Sequence, residues 1–295
     1  MAERVYYGGQ ALIEGVMMRG RKTLVTSVRR PGGGLVTEVQ TLPAIYTGWV
    51  RKTPFLRGVI VLIETLVLGI KTLLYSANMA LEDGEEEVSG WWVWVMMAVA
   101  LALAVALFFL VPLFLTRLLN IESSILFNLV DGLIRVAIFV AYLSAMSLLP
   151  DIKRVFAYHG AEHKTVNAYE AGVPLEVAAV RAHSTAHVRC GTSFIFVVLV
   201  ISILVFALVG LHTAWLMAIS RILLVPVIAA FGYEVIYFGG RHSHNPLVRA
   251  ILTPGLWLQS LTTREPDDSQ LEVAVAALKK VMESDQADGA AQASA

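Results

Sequence analysis

Four stretches of this chain are long and apolar enough to cross about 30 Å of hydrocarbon at about 1.5 Å per residue, which decides the fold class first. They are Trp91 to Leu115, Ile125 to Leu149, Phe194 to Leu211 and Ala214 to Phe238. The first opens with Trp-Trp-Val-Trp, an aromatic cluster suited to the headgroup level. The third and fourth are joined only by Leu-His-Thr and must run antiparallel as a helical hairpin. Composition agrees: 57% of the 295 residues are hydrophobic and 16% charged, at a mean hydropathy of +0.67, well beyond what one soluble core needs. The expectation is a mainly α, polytopic membrane protein.

A fifth apolar stretch, Phe55 to Leu81, carries Arg57, Glu64 and Lys71 at intervals of seven. That places all three on one helical stripe, which suits an interfacial or re-entrant helix better than a lipid-exposed span. Orientation supplies a separate argument, because short cytoplasmic loops are rich in Lys and Arg. One basic region runs from Arg19 to Arg57, another from Lys153 to Arg189, and Arg241, Arg249 and Arg264 follow the last span. If the fifth stretch crossed, the first two regions would face opposite sides. If it does not, all three are cytoplasmic, so the sequence predicts four spans in the cytoplasmic membrane with both termini in the cytoplasm. The acidic run Leu-Glu-Asp-Gly-Glu-Glu-Glu also falls inside, which the rule tolerates.

Further divisions follow. Residues 1–54 form a cytoplasmic N-terminal region in which Thr-Leu-Val-Thr-Ser-Val-Arg-Arg-Pro-Gly-Gly-Gly-Leu-Val-Thr-Glu-Val-Gln-Thr-Leu reads as two short strands around a turn. Residues 55–81 are the amphipathic helix, 82–149 hold the first two spans, 150–192 a cytoplasmic His-rich loop, and 193–238 the hairpin. In 239–284, Ser269 stands three residues before Glu272 as a capping box for an amphipathic helix. The tail, 285–295, has little to bury and is expected to be disordered. The start lacks the apolar run and cleavage site of a secretory signal, so insertion is expected to rely on internal segments. A lone cysteine, Cys190, cannot make an internal disulfide and fits a reduced compartment. The formal net charge is zero, and no basic nucleic-acid footprint is visible.

Chemistry concentrates in Tyr158 to Thr192. On a helix His159 and His163 lie one turn apart, Glu162 is beside them, and Glu170 falls two turns beyond His163 on the same face. His-x-x-Glu-His is the inverted zinc-protease order, with histidines as ligands and the glutamate as general base. His183, His187 and Cys190 follow in the same loop, so it holds four of the seven histidines and the cysteine. Nitrogen and thiolate donors suit zinc or iron. The plain alternative is a loop closed by hydrogen bonds among these same groups. Cys190 beside His187 also offers a nucleophile, and more simply a ligand or a packed thiol. Arg189 is an anion contact or a snorkelling interfacial residue. Glu234, near the inner end of the last span, is placed to add a further ligand, and His242 and His244 read as surface residues. Asp131 and Arg135, one turn apart in the second span, with Arg221 in the fourth, suggest a buried charge network. Glu14 and Arg19 sit in a glycine-bounded opening stretch that reads as a loop folding over the site.

The stretches Gly-Gly-Gln-Ala-Leu-Ile-Glu-Gly-Val-Met-Met-Arg-Gly, Tyr-His-Gly-Ala-Glu-His-Lys-Thr-Val-Asn-Ala-Tyr-Glu-Ala-Gly, His-Val-Arg-Cys-Gly-Thr-Ser-Phe and Pro-Gly-Leu-Trp-Leu-Gln-Ser-Leu-Thr-Thr-Arg-Glu-Pro-Asp-Asp-Ser-Gln-Leu-Glu-Val-Ala-Val-Ala-Ala-Leu occur in this order. Over about Gly8 to Leu278 the chain resembles the DUF1385, or YqhQ-like, family of bacterial integral membrane proteins. The resemblance implies a metal-linked reading of the histidines and lends no substrate. Its pattern falls on Glu14, Arg19, His159, Glu162, His163, Glu170, His187, Arg189 and Cys190, with Val188 where the family has proline. His183, His242 and His244 lie outside it, which weakens a rival reading as a histidine-rich di-iron lipid hydroxylase.

The sequence therefore predicts a metal-dependent membrane enzyme, hydrolytic on a lipid or membrane peptide. Glu162 and Arg189 are its catalytic residues, and His159, His163, Glu170, His187, Cys190 and Glu234 its candidate ligands for zinc or iron. The rival is a non-enzymatic membrane scaffold that binds a membrane protein partner. A transporter along Asp131, Arg135 and Arg221 is a third reading. The oligomeric state is left open.

Overall fold

The computed structural model describes residues 5–81, 91–209, 214–242 and 245–293. It has a four-stranded antiparallel sheet in the order β1 (Gly8–Leu12), β2 (Gly15–Arg19), β3 (Thr23–Arg29) and β4 (Leu35–Thr41). A short helix, α1 (Ala44–Thr47), and a 3-10 turn, Trp49–Lys52, lead into α2 (Leu56–Met79). After α3 (Trp91–Val105), a π-helical turn at Ala106–Leu110 runs on into α4 (Val111–Leu118). Then come α5 (Ser124–Met146), α6 (Pro150–Ala171), the short α7 (Val177–Arg181), α8 (Gly191–Val209), α9 (Ala214–Arg241), α10 (Pro246–Thr262) and α11 (Asp268–Ala293).

The β3–β4 hairpin sits where the sequence predicts it. The opening stretch, expected to be a loop, instead forms β1 and β2, paired with Leu12 opposite Gly15. Only Ile13 and Glu14 make the turn, and Glu14 takes a φ of 52°. Side chains alternate across β2 and β3, and both faces are buried. Val16, Met18 and Val25 face a core built with Tyr158, Ala161, Leu271, Ala274 and Leu278 of α6 and α11. Leu12, Met17 and Leu24 face the other way, with Leu42 and Leu68 of α2. The sheet is thus the middle layer of three, with α2 on one side and α6 and α11 on the other.

Among the described residues, five helices are long and apolar enough to cross a membrane: Leu56–Met79, Trp91–Leu118, Ser124–Met146, Gly191–Val209 and Leu223–Arg241. The first differs from the rest in its surroundings. Its Gly69 faces Gln10, Ser76 accepts from the Ile13 N–H at 3.3 Å, and Gly58 lies against Ala230 of α9. Ile63, Leu66 and Val67 point outward and are about half exposed. The stripe expected to be polar is mostly occupied: Glu64 is 4% exposed and is held by Arg19 and Arg51, and Arg57 pairs with Glu234. Lys71 alone of the three is exposed.

Two further corrections concern the C-terminal part. The capping box lies two residues earlier than expected: Asp267 Oδ1 accepts the Gln270 N–H at 2.9 Å, and Gln270 Oε1 accepts the Asp267 N–H at 3.1 Å. The residues from 285, expected to be disordered, continue α11 as far as Ala293, and Asp285 accepts the Arg21 N–H at 3.0 Å. That bond gives the helix a reason to persist. Helix α10 was not foreseen. Asp131 and Arg135 do pair, at 2.7 Å. The side chain of Arg221, residues 82–87 of the acidic run, the Leu-His-Thr connection and His244 lie outside what is described.

Candidate metal centre

Helix α6 begins on Pro150 in its first turn and ends at Gly172, whose φ of 73° suits glycine. Its middle, from Ala157 to Thr165, is almost wholly buried. Two stretches of chain cross it there. The α10–α11 connection passes against Gly160, where any side chain would collide with the Arg264 carbonyl, and Arg264 N–H donates to Phe156 O at 2.9 Å. On the other side, residues 181–187 are tied down by Lys164 Nζ to Arg181 O at 2.8 Å and by Asn167 Nδ2 to Ser184 O and Ala186 O at 2.8 and 3.0 Å.

These crossings set the two imidazoles. His159 Nδ1 lies 2.8 Å from Thr262 O, and His163 Nδ1 lies 2.6 Å from Thr185 O. A carbonyl oxygen only accepts, so each Nδ1 carries a proton, and it is the Nε2 of each ring that is oriented to serve as a ligand atom. This is the orientation that metal-ligating histidines take from their outer partners. The rings meet edge to face at 4.4 Å. Cys190 immediately precedes α8, where its Sγ accepts the Thr192 N–H at 3.3 Å and lies 3.3 Å from His159 Nε2. Ligand atoms of His159, His163 and Cys190 all fall within 4.8 Å of one another. Glu162 Oε2 lies 3.4 Å from His163 Nε2, and Gly9 of β1 covers its methylene. Two imidazole nitrogens and one sulfur, with a carboxylate alongside, fit zinc or iron, and three protein donors leave a coordination position open.

The remaining candidates form other groups. His187 has the opposite tautomer: its Nδ1 accepts the Arg189 N–H at 3.4 Å, so Nε2 carries the proton and faces Glu170 Oε2 at 3.5 Å. Glu170 also takes the Arg189 guanidinium. Burial disfavours its charge, but hydrogen bonds from His187 and Arg189 prevail and hold the carboxyl at about 2. Arg189 stacks over Tyr6 at 4.7 Å. Its charge is matched by Glu170, so the geometry makes it a tie and not a ready anion contact. Glu234 lies in the Arg57 pair, also accepting Phe55 N–H at 3.0 Å, and is not among the converging donors. Glu14 binds Arg154 and accepts from Tyr158 Oη at 3.3 Å, and Arg19 joins Glu64 to the Tyr46 carbonyl. Both bind layers together and neither covers the histidines. His183 is half-buried and His242 exposed.

Residue-by-residue reading missed Gln259 and Thr262. Gln259, fully buried, accepts the His187 N–H at 2.9 Å and donates to His187 O at 2.9 Å and Ser193 Oγ at 2.7 Å. Thr262 supplies the carbonyl for His159. Both lie in the fourth of the long motifs, which was the available signal.

A family model described as a protein of unknown function, DUF1385, matches residues 53–284. An uncharacterised protein of Bacillus subtilis (strain 168), YqhQ, is 36% identical over 298 residues, covering 94% of this chain and 92% of that protein. No solved structure matches.

Proposed function

The chain belongs to the DUF1385 family, and from that premise we propose that it is a membrane protein holding a divalent transition metal at the cytoplasmic surface of the inner membrane, for hydrolysis of a lipid or a membrane-emergent peptide. One observation carries the reading: three donor atoms converge within 4.8 Å while both histidine Nδ1 atoms are bound to backbone carbonyls. His159, His163 and Cys190 hold the ion, which when bound supplies a Lewis acid and an acidified water. Glu162 is the proton-holding carboxylate beside it, and Glu170, His187 and Gln259 fix the loop that carries Cys190.

Four spans and one interfacial helix fit this arrangement. The sheet on which α2 lies is the same sheet that packs on α6, so the first basic region and the histidine loop share one side. The outward Ile63, Leu66 and Val67 then rest in the bilayer surface.

The test is elemental analysis of detergent-purified protein. About one zinc or iron per chain is expected, absent from a His159→Ala, His163→Ala variant and retained by Glu162→Gln. With cobalt in its place, a sulfur-to-metal absorption band should vanish in Cys190→Ser. No metal after exposure to zinc, iron or manganese overturns the reading. A scaffold with a structural metal is the second reading, favoured by the burial of His163, Glu162 and Cys190 at 2%, 5% and 6% exposure. Azide that shifts the cobalt spectrum reports an open position and favours the enzyme; an unmoved spectrum favours the scaffold.

A further inference from the structure

Between the start of α2 and the middle of α9 runs a groove of about 300 Å³, lined only by apolar side chains, among them Phe55, Leu56, Val59, Pro226, Val227 and Phe231. One end closes on Phe55, whose φ of 64° lies in a region that bulky side chains rarely adopt. Its N–H is held by Glu234 Oε1 at 3.0 Å, and its ring meets Phe231 edge-on at 4.9 Å. At the same end stands a concentration of positive charge. Arg57 pairs with Glu234 and lies 3.7 Å from the centroid of Tyr237, and Arg241 covers the same ring at 4.8 Å. Just before Phe55, Arg51 shares Glu64 with Arg19, and Lys52 is exposed.

Of the five cationic side chains here, Arg19 and Arg51 share Glu64 and Arg57 pairs with Glu234, Asp285 acts on Arg19 from farther off, and Arg241 and Lys52 are exposed. Burial, and then the charge of Arg19, push Arg51 down to about 10, and burial brings Arg19 to about 10 as well. Arg51 and Arg19 thus share one carboxylate, with Asp285 adding negative charge on the Arg19 side only. An apolar slot of this kind beneath a cationic rim matches one chemical class, a lipid with a hydrocarbon chain and an anionic head. We propose that the α2–α9 groove binds an anionic phospholipid, one acyl chain in the slot and the phosphate at the exposed rim cations Lys52 and Arg241, the guanidinium of Arg57 being matched by Glu234. The proposal rests on the reading that α9 spans the bilayer with its Arg241 end at the surface, and is independent of the metal.

Full-length protein in nanodiscs of phosphatidylcholine containing a minor share of phosphatidylglycerol would be extracted and its retained lipids counted by native mass spectrometry. One phosphatidylglycerol per chain is expected, enriched about tenfold over its share of the bilayer. Val227→Trp fills the slot from a position 49% exposed and should lose that lipid with its metal content and melting temperature unchanged. Lys52→Glu, an exposed change that spares the fold, should cut the enrichment about tenfold. Retention of neither lipid, equal retention of both, or retention unaltered in Lys52→Glu overturns the proposal. Because lipid is counted separately from metal, protein that lacks metal and keeps phosphatidylglycerol sinks only the metal reading.

Discussion

Glu170 keeps its charge against its own burial because His187 and Arg189 bond to it. Its carboxyl is held at about 2, below an ordinary value of 4.5. The stability it contributes is therefore fully present above about pH 4.5 and is lost as pH falls through about 2. The displacement corresponds to at most about 3 kcal/mol, less after solvent screening of a partly exposed carboxylate. Glu170→Gln should lower the unfolding midpoint at pH 7, and the gap from wild type should close on acidification toward pH 2. Metal content should fall only in part, because Glu170 is outside the converging donors and Gln259 still holds His187 in the Cys190 loop. His163→Ala should do the reverse, removing the metal at every pH. Complete loss of metal in Glu170→Gln would mean that Glu170 is itself a ligand or that Gln259 alone does not hold the Cys190 loop.

Elements position these residues through a few close approaches. Gly160→Ala puts a methyl group against the Arg264 carbonyl, which should displace the α10–α11 connection and take Thr262 O from His159. The expected result is a marked fall in melting temperature together with reduced metal occupancy. Asp267→Ala removes the cap of α11 and should cost about 1 kcal/mol in stability, read from a denaturant midpoint. The pairing of His159 with His163 was legible because one helical turn separates them and nothing else is needed. Cys190 was legible only as a candidate, since its approach depends on where α8 begins. His187 and Glu234 could not be sorted from sequence: an Arg189 N–H takes the lone pair of one and Arg57 takes the carboxylate of the other, both contacts set by tertiary structure. The β1–β2 hairpin was hidden by its glycines, which read as a loop until Gly15 is seen pressed on the Ser27 carbonyl. In α10, Pro246, Arg249 and Pro254 interrupt the apolar pattern that marks a helix.

Across the whole molecule, the layered body and the ends of the apolar helices have one consistent arrangement. Gly240 at the end of α9 touches Arg189 just before α8, so these ends share a level with the histidines, and the α4–α5 turn lies at the far ends of the helices. Single cysteines placed at Gly32, Glu122 and Lys279 give a direct reading with a membrane-impermeant thiol reagent in spheroplasts. Labelling of position 122 alone is expected, with 32 and 279 reacting only after lysis. Labelling of 32 together with 122 would mean that α2 crosses.

The bond between Asp285 and Arg21 also constrains how the protein is made. Asp285 receives the backbone of Arg21 across 264 residues, and α11 closes the face of β2 and β3 that carries Val16, Met18 and Val25. Those strands leave the ribosome well before α11, and all five long apolar helices lie between them in the chain. Until α11 is made, only α6 is available to cover that oily face of the sheet, so the arrival of α11 is the step that shuts the layered domain. A stop codon shortly before Asp268 should therefore yield a chain that inserts normally and is then cleared by proteases that recognise uncovered strands.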